Sequence, residues 1–110
     1  MATTRSLDNS FRPYADDLFS FGQSLDRRLV ITSARRTLDD QWRLYDRFLR
    51  GESSLPVAFP GTSKHELGLA IDLARIGIDP HQDSLLYYLG RVWRSVGGLW
   101  NAVDPVHFSV

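Results

Sequence analysis

The chain of 110 residues is predicted to be a small single α+β domain spanning residues 1–110, with a short antiparallel sheet and about three helices packed around it. Three observations predict it. Segments with apolar residues at helical spacing alternate with short β-branched runs, no segment repeats or falls to low complexity, and the length lies near the commonest domain size, enough to bury one core.

The elements follow in order. Pro13 suits the first turn of a helix whose Leu18, Phe21 and Leu25 form one apolar face. LVITSA, from Leu29, reads as a strand. Thr37 with Asp40 makes a capping-box-like start for a second helix that would bury Leu44, Tyr45, Phe48 and Leu49 and stop at Gly51. Gly51 to Lys64, with two prolines and Gly61, reads as a loop of the kind that carries function. LAIDL, from Leu69, is a short buried strand in which Asp72 is the single charge. Asp83 or Ser84 opens a third helix with Leu85, Leu89, Val92 and Val96 inward, ended by Gly97 and Gly98. Short strands at Leu99–Trp100 and Val106–Val110 close the chain, and Trp93 and Trp100 sit at spacings typical of core aromatics.

Function is concentrated in SKHELGLAID, Ser63 to Asp72, and DPVHF, Asp104 to Phe108. A catalytic zinc takes imidazole nitrogen and carboxylate oxygen from three protein ligands and keeps a fourth position for water. His65, Asp72 and His107 can supply those three, leaving Asp104 as general base. The odd separation of His65 and Asp72 would put them on opposite faces of a straight strand, so the chain must turn between them, and Gly68 permits it. A lone carboxylate in an apolar strand needs a partner, and a divalent cation is one of the few that favours its burial. Pro105 is expected to hold Asp104 extended at the mouth of a final strand from which His107 points inward. HELGL has Leu69 where H-E-x-x-H would need its second histidine, so the helical zincin pattern fails and Glu66 is expected in solvent. His81, beside Pro80 in a polar turn, is expected to be exposed and uninvolved.

S-x-H-x-x-G-x-A-x-D followed downstream by D-x-x-H-F is similar to the M15 family of zinc peptidases, which cleave peptidoglycan stem peptides. GGLW before DPVHF also resembles the family's endopeptidase branch, and ITSARRTLDDQ resembles its I-T-S-G-Y-R-S followed by a glutamine, with Ala34 and Arg35 in place of glycine and tyrosine. The resemblance implies a Hedgehog/DD-peptidase-like fold, zinc as cofactor, and substrate-binding roles for Arg36 and Gln41. Read without the resemblance, Arg36 would pair with Asp39 or Asp40. Asp104 stands where the carboxypeptidase branch commonly has glutamate, which favours L-alanyl-D-glutamate endopeptidase action of the phage endolysin type. The alternatives are a D-alanyl-D-alanine carboxypeptidase or dipeptidase, and a non-catalytic metal-binding component of a virion or of a wall-binding assembly. The mechanism expected is a zinc-activated water with Asp104 carrying its proton, Arg36 holding a substrate carboxylate or the oxyanion, and Ser63 donating to the peptide near the metal.

Composition narrows the partners. Cysteine is absent, so metal ligands must be histidine or carboxylate. Thirteen basic and thirteen acidic side chains cancel, with no basic run to suggest nucleic acid or an anionic membrane. No apolar stretch reaches the length of a signal peptide or a membrane span. The expectation is a monomer made in the cytoplasm that reaches the cell wall by release or in a virion, with a peptidoglycan stem peptide as partner.

Overall fold

The structure is a computed structural model, described for residues 2–110. Its elements run α1 (Arg12–Leu25), β1 (Leu29–Ser33), α2 (Leu38–Leu49), β2 (Ala70–Arg75), α3 (Ser84–Ser95) and β3 (His107–Ser109). The strands form one antiparallel sheet in the order β1-β2-β3. Among the described residues, no helix is long and apolar enough to cross a membrane.

Alternation along the strands separates two faces. Leu29 and Ile31 of β1, Ile71 and Leu73 of β2 and Phe108 of β3 enter one core with Phe11, Ala15 and Leu18 at and within α1, and Leu85, Leu86, Leu89 and Trp93 of α3. Asp72 lies on the opposite face of β2. The register places it across from Ser33 on β1 and His107 on β3, with an irregularity between Ile31 and Ser33. That face becomes the site.

Side-chain caps start α2 and α3 and Pro13 lies in the first turn of α1, but in all three helices the buried residues differ in part from those expected. In α1 the inward stripe is Ala15, Leu18 and Gly22, whereas Phe21 lies on the surface against Tyr88 and Leu25 is 53% exposed. In α2 the Thr37–Asp40 capping box forms, yet only Gln41 is buried. Leu44 and Tyr45 are half-buried, and Phe48 and Leu49 are exposed. The helix lies over the site face instead of on the core, and Trp42, Tyr45 and Phe48 gather with Phe59 of the following loop. Asp83 caps α3 by accepting from the Leu85 N–H. Its inward side is Leu85, Leu86, Leu89, Gly90 and Trp93. Val96 is 71% exposed because the helix has already ended, with the Gly97 N–H on Arg94 O and the Gly98 N–H on Trp93 O in a Schellman closure.

The end of the chain is tighter than expected. Leu99 makes only an isolated bridge to Ser109, and β3 begins at His107. Asp104 opens a tight turn: the His107 N–H donates to Asp104 O at 3.1 Å, a β-turn with Pro105 in its favoured second position. Trp100 pins that turn by donating its indole N–H to Pro105 O at 2.8 Å. Trp93 does the same for β3 by donating to Ser109 O at 2.8 Å. Both tryptophans are therefore framework residues. Gly90 lets α3 pass under the Trp100 ring, into which any Cβ would project.

An ion-pair group closes the far edge of the sheet. Arg75 bridges Asp83, which is fully buried, and Asp26 at the end of α1, at 2.7 and 3.0 Å. Hydrogen bonds from Arg28 and from Arg75 hold the Asp26 carboxyl below its ordinary range. A depressed carboxylate stabilises the fold above the unfolded aspartate value of about 3.9 and loses that contribution as pH falls through the lower folded value. Because Asp83 is fully buried against Arg75, Arg75→Leu is expected to cost about 1–3 kcal/mol at neutral pH by leaving that carboxylate unpaired. It should also lessen the pH dependence that Asp26 contributes below about pH 4, without removing it, because Arg28 stays in place, and urea melts across pH measure both.

Candidate metal centre

Two turns and one strand pair bring the site together. Asp72 and His107 are direct cross-strand partners, and such partners carry side chains on the same face at close range. His65 arrives from a compact turn in which the Leu67 N–H donates to Lys64 O and the Gly68 N–H to His65 O. Gly68 closes that turn at φ 72° and packs on the N-terminal segment, where a Cβ would stand 2.7 Å from the Asp8 nitrogen. Only glycine meets both demands.

His65 is only 2% exposed and is clamped to the link between β1 and α2. Its ring Nδ1 lies 2.6 Å from Ala34 O, and its own carbonyl accepts from the Arg36 N–H at 3.1 Å. A carbonyl oxygen can only accept, so Nδ1 carries a proton, and Nε2 is the nitrogen that offers a lone pair when the ring is neutral. That nitrogen lies 2.9 Å from Asp72 Oδ1. His107 Nδ1 lies 3.3 Å from the same oxygen, with the two rings near perpendicular at 66°. Lone pairs facing one another at such distances repel unless a proton or a cation lies between them.

The donor set fits a divalent metal. One atom from each of His65, Asp72 and His107 lies within 4.8 Å of the others, and ligands bonded tetrahedrally at about 2.0–2.1 Å stand about 3.3 Å apart. Two imidazoles and one carboxylate would leave a bound metal a fourth position for water, as a catalytic rather than a structural site requires.

Asp72 Oδ2, the oxygen turned away from the histidines, accepts from Arg36 Nη2 at 2.8 Å. Burial alone would raise the Asp72 carboxyl, but the hydrogen bonds of His107 and His65 and the nearby positive charge of His65 and Arg36 hold it well below the ordinary range. Asp104 behaves oppositely, since burial and the negative charge of Asp72 push it up. Two neighbouring carboxyls are thus driven apart, one anchored as an anion and the other able to take a proton.

These groups share a cleft of about 830 Å³ whose lining includes Arg36, Ser63, His65, Asp72, Asp104 and His107, with Leu55–Ala58 as one wall. Ser63 is buried and its Oγ accepts from the His65 N–H at 3.2 Å. Gln41 does not reach the cleft. It is completely buried behind Arg36, with Oε1 accepting from Arg36 Nη1 and Nε2 donating to Ala58 O. Arg36 pairs with neither Asp39 nor Asp40; its Nε donates to Ser33 Oγ and its Nη2 to Asp72. Glu66 is not free in solvent, because it braces the loop by accepting from the Gly61 N–H at 3.0 Å. His81 lies on the surface near Asp79, away from the cleft. Sequence reasoning missed the Ala34 carbonyl and Ser33, whose parts depend on backbone position and register.

Comparison with known proteins gives the family and the fold. Residues 4–87 match the family model described as VanY, D-alanyl-D-alanine carboxypeptidase, a span that includes His65 and Asp72 and stops before Asp104 and His107. A D-alanyl-D-alanine carboxypeptidase of Enterococcus faecalis (strain ATCC 700802 / V583) is 31% identical over 85 residues, covering 66% of this chain and 32% of that protein. The chain thus spans about a third of the length of that relative. Among solved structures, a mutant of the vancomycin-resistance D,D-pentapeptidase VanY in complex with Zn(II) superposes with a TM-score of 0.69 at 24% identity, covering 94% of this chain and 71% of that one. The D,D-dipeptidase VanXYg in complex with a D-Ala-D-Ala phosphinate analogue gives 0.70 at 22% identity, over 94% and 49%. The LD-carboxypeptidase LdcB gives 0.68 at 20% identity, over 99% and 61%. These likenesses establish a peptidase fold of the expected small α+β kind. The names fit the carboxypeptidase and dipeptidase alternative better than the endopeptidase reading that Asp104 favoured. With three quarters of its length inside the family match, the chain belongs to the VanY family of D-alanyl-D-alanine carboxypeptidases, within the M15 zinc peptidases.

Proposed function

We propose that the chain is a zinc-dependent carboxypeptidase that removes the terminal D-alanine from peptidoglycan stem peptides ending in D-Ala-D-Ala. The observation that carries this reading is the convergence of His65 Nε2, Asp72 Oδ1 and His107 Nδ1 in one cleft, in a chain of the carboxypeptidase family. The Zn(II) complex of the VanY fold supports the choice of metal.

His65, Asp72 and His107 would hold the zinc. When bound, the metal polarises the scissile carbonyl and makes a water acidic enough to attack at neutral pH. The remaining steps belong to the protein. The Ala34 carbonyl keeps the His65 proton on Nδ1 and so keeps Nε2 available as a ligand. Asp104 accepts a proton on its carboxylate from the attacking water and returns it to the leaving amine, a task suited to a carboxyl that burial and the Asp72 charge raise above its ordinary value. Ser63, whose oxygen already accepts from the His65 N–H, keeps its own hydroxyl proton to donate to a peptide carbonyl. The Leu55–Ala58 wall shields one side of the reacting bond from water.

The test is digestion of a synthetic stem pentapeptide by the zinc-loaded protein with mass analysis of the products. Release of a single D-alanine supports the reading. Cleavage between L-Ala and D-Glu would restore the endopeptidase reading, and release of D-Ala-D-Ala would indicate a dipeptidyl activity. An intact peptide at high enzyme concentration would favour a non-catalytic metal-binding role.

A further inference from the structure

We propose that Arg36 is a positioning residue for the metal ligand Asp72, held in place by Ser33 and Gln41, and that these groups set the metal affinity of the site. The inference rests on the zinc reading above and goes beyond it, because the sequence resemblance implies that Arg36 and Gln41 bind substrate.

The argument follows the guanidinium around its edge. Nε donates to Ser33 Oγ at 2.8 Å, Nη1 to Gln41 Oε1 at 3.3 Å, and Nη2 to Asp72 Oδ2 at 2.8 Å. Three of its donor atoms thus have protein partners from three different elements. Gln41 cannot turn to a ligand. Its side chain is fully buried, its oxygen takes the Arg36 proton, and its amide nitrogen donates to Ala58 O at 3.0 Å. The Arg36 and Asp72 side chains are only 16% and 14% exposed, so solvent competes weakly for their ion pair.

The pairing divides the two oxygens of Asp72. Oδ1 faces both histidine nitrogens and Oδ2 is occupied by Arg36. A carboxylate held in this way offers one oxygen to a metal. If Oδ2 were free, the side chain could rotate and chelate through both oxygens, filling the position that a catalytic site keeps for water. A planar fork anchored on three sides imposes that geometry, and a lysine, with a point charge on a flexible stem, does not. Gln41 extends the chain of contacts to Ala58 in the cleft wall. The wall, α2 and the metal ligand on β2 therefore form one hydrogen-bonded unit.

The experiment measures zinc dissociation constants by competition with a chromophoric chelator, for the parent chain and for Arg36→Gln, Arg36→Lys and Gln41→Met, without substrate. Arg36→Gln should weaken zinc by roughly 10–100-fold, as loss of an outer partner of a metal ligand does. Arg36→Lys should be weakened as well, since charge alone does not bridge Ser33, Gln41 and Asp72, and Gln41→Met should be weakened less. The visible spectrum of the Co²⁺-substituted protein should change in both Arg36 variants, reporting altered ligation by Asp72. Should Arg36→Gln fail to fold, Arg36→Lys and Gln41→Met carry the same comparison. Parent-like zinc affinity and an unaltered Co²⁺ spectrum in the Arg36 and Gln41 variants would overturn the inference, and a raised KM in separate turnover assays of those variants would return both residues to substrate binding. A parent chain that binds no zinc would remove the metal reading, and this inference with it.

Discussion

His65→Ala is expected to lose bound zinc and peptidase activity together, by more than the roughly 10–100-fold that loss of an outer partner costs. His65 is the most constrained of the three ligands. It is buried, its Nδ1 is bound to the Ala34 carbonyl, and among the described residues its Nε2 meets only Asp72 Oδ1. An alanine leaves two donors where a catalytic site needs three, and it exposes the Ala34 carbonyl to an unfilled space. His81→Ala is the matched control, because that ring lies on the surface, away from the cleft, with Asp79 3.8 Å from it. It should keep both zinc and turnover. Metal links the turn before β2 to β2 and β3, so zinc should also stabilise the parent fold. At about 100 times its dissociation constant, a ligand contributes about 2.7 kcal/mol, which for a domain of this size corresponds to a Tm shift on the order of 10 °C. Chelation should reverse that shift in the parent and leave the melting of His65→Ala unaltered.

Asp104→Asn should keep its zinc and lose roughly 10²-fold to 10⁴-fold in turnover. Asp104 lines the cleft but is not among the three atoms that converge. Burial and the charge of Asp72 raise its carboxyl, which makes it a better proton acceptor than an ordinary aspartate. The amide preserves its shape and cannot accept the proton. Asp72→Asn differs in kind, because it removes the anion shared by His65, His107 and Arg36 and should release the metal. Zinc content measured beside turnover separates the two roles. Loss of zinc from Asp104→Asn, or parent-like turnover, would show that the proton is carried by another group.

Much of this architecture was legible because local chemistry and packing agree. The Thr37–Asp40 box, the Asp83 cap and the Gly97–Gly98 stop are short-range signals, and all three operate. LAIDL was readable as a strand because Ile71 and Leu73 fill the core while Asp72 faces away from it. The buried face of α2 was not legible. Its apolar residues repeat at helical spacing, but the helix covers the site face, so they assemble with Phe59 on the surface. Helical periodicity identifies which residues share a stripe without identifying what the stripe meets. Val96 was misplaced for a simpler reason, since the apolar pattern outlasts the helix by one residue.

At the site, the need for a turn at Gly68 could be deduced from the odd spacing of His65 and Asp72, and φ 72° there meets it. The cross-strand pairing of Asp72 with His107 could not, because register across a sheet is set by long-range packing. The engagement of Arg36 was hidden for the same reason. It depends on the irregularity between Ile31 and Ser33 that brings Ser33 level with Asp72, and on Gln41 being turned inward from a helix whose other residues are all at least partly exposed.

The central claim is that His65, Asp72 and His107 hold one catalytic zinc. Anomalous diffraction at the zinc edge from crystals of the zinc-loaded protein tests it most directly. The account predicts a single strong peak in the cleft, bonded to His65 Nε2, Asp72 Oδ1 and His107 Nδ1 and to no atom of Asp104. A peak ligated by Asp104 or located at His81, or no peak in the cleft at saturating zinc, would contradict it.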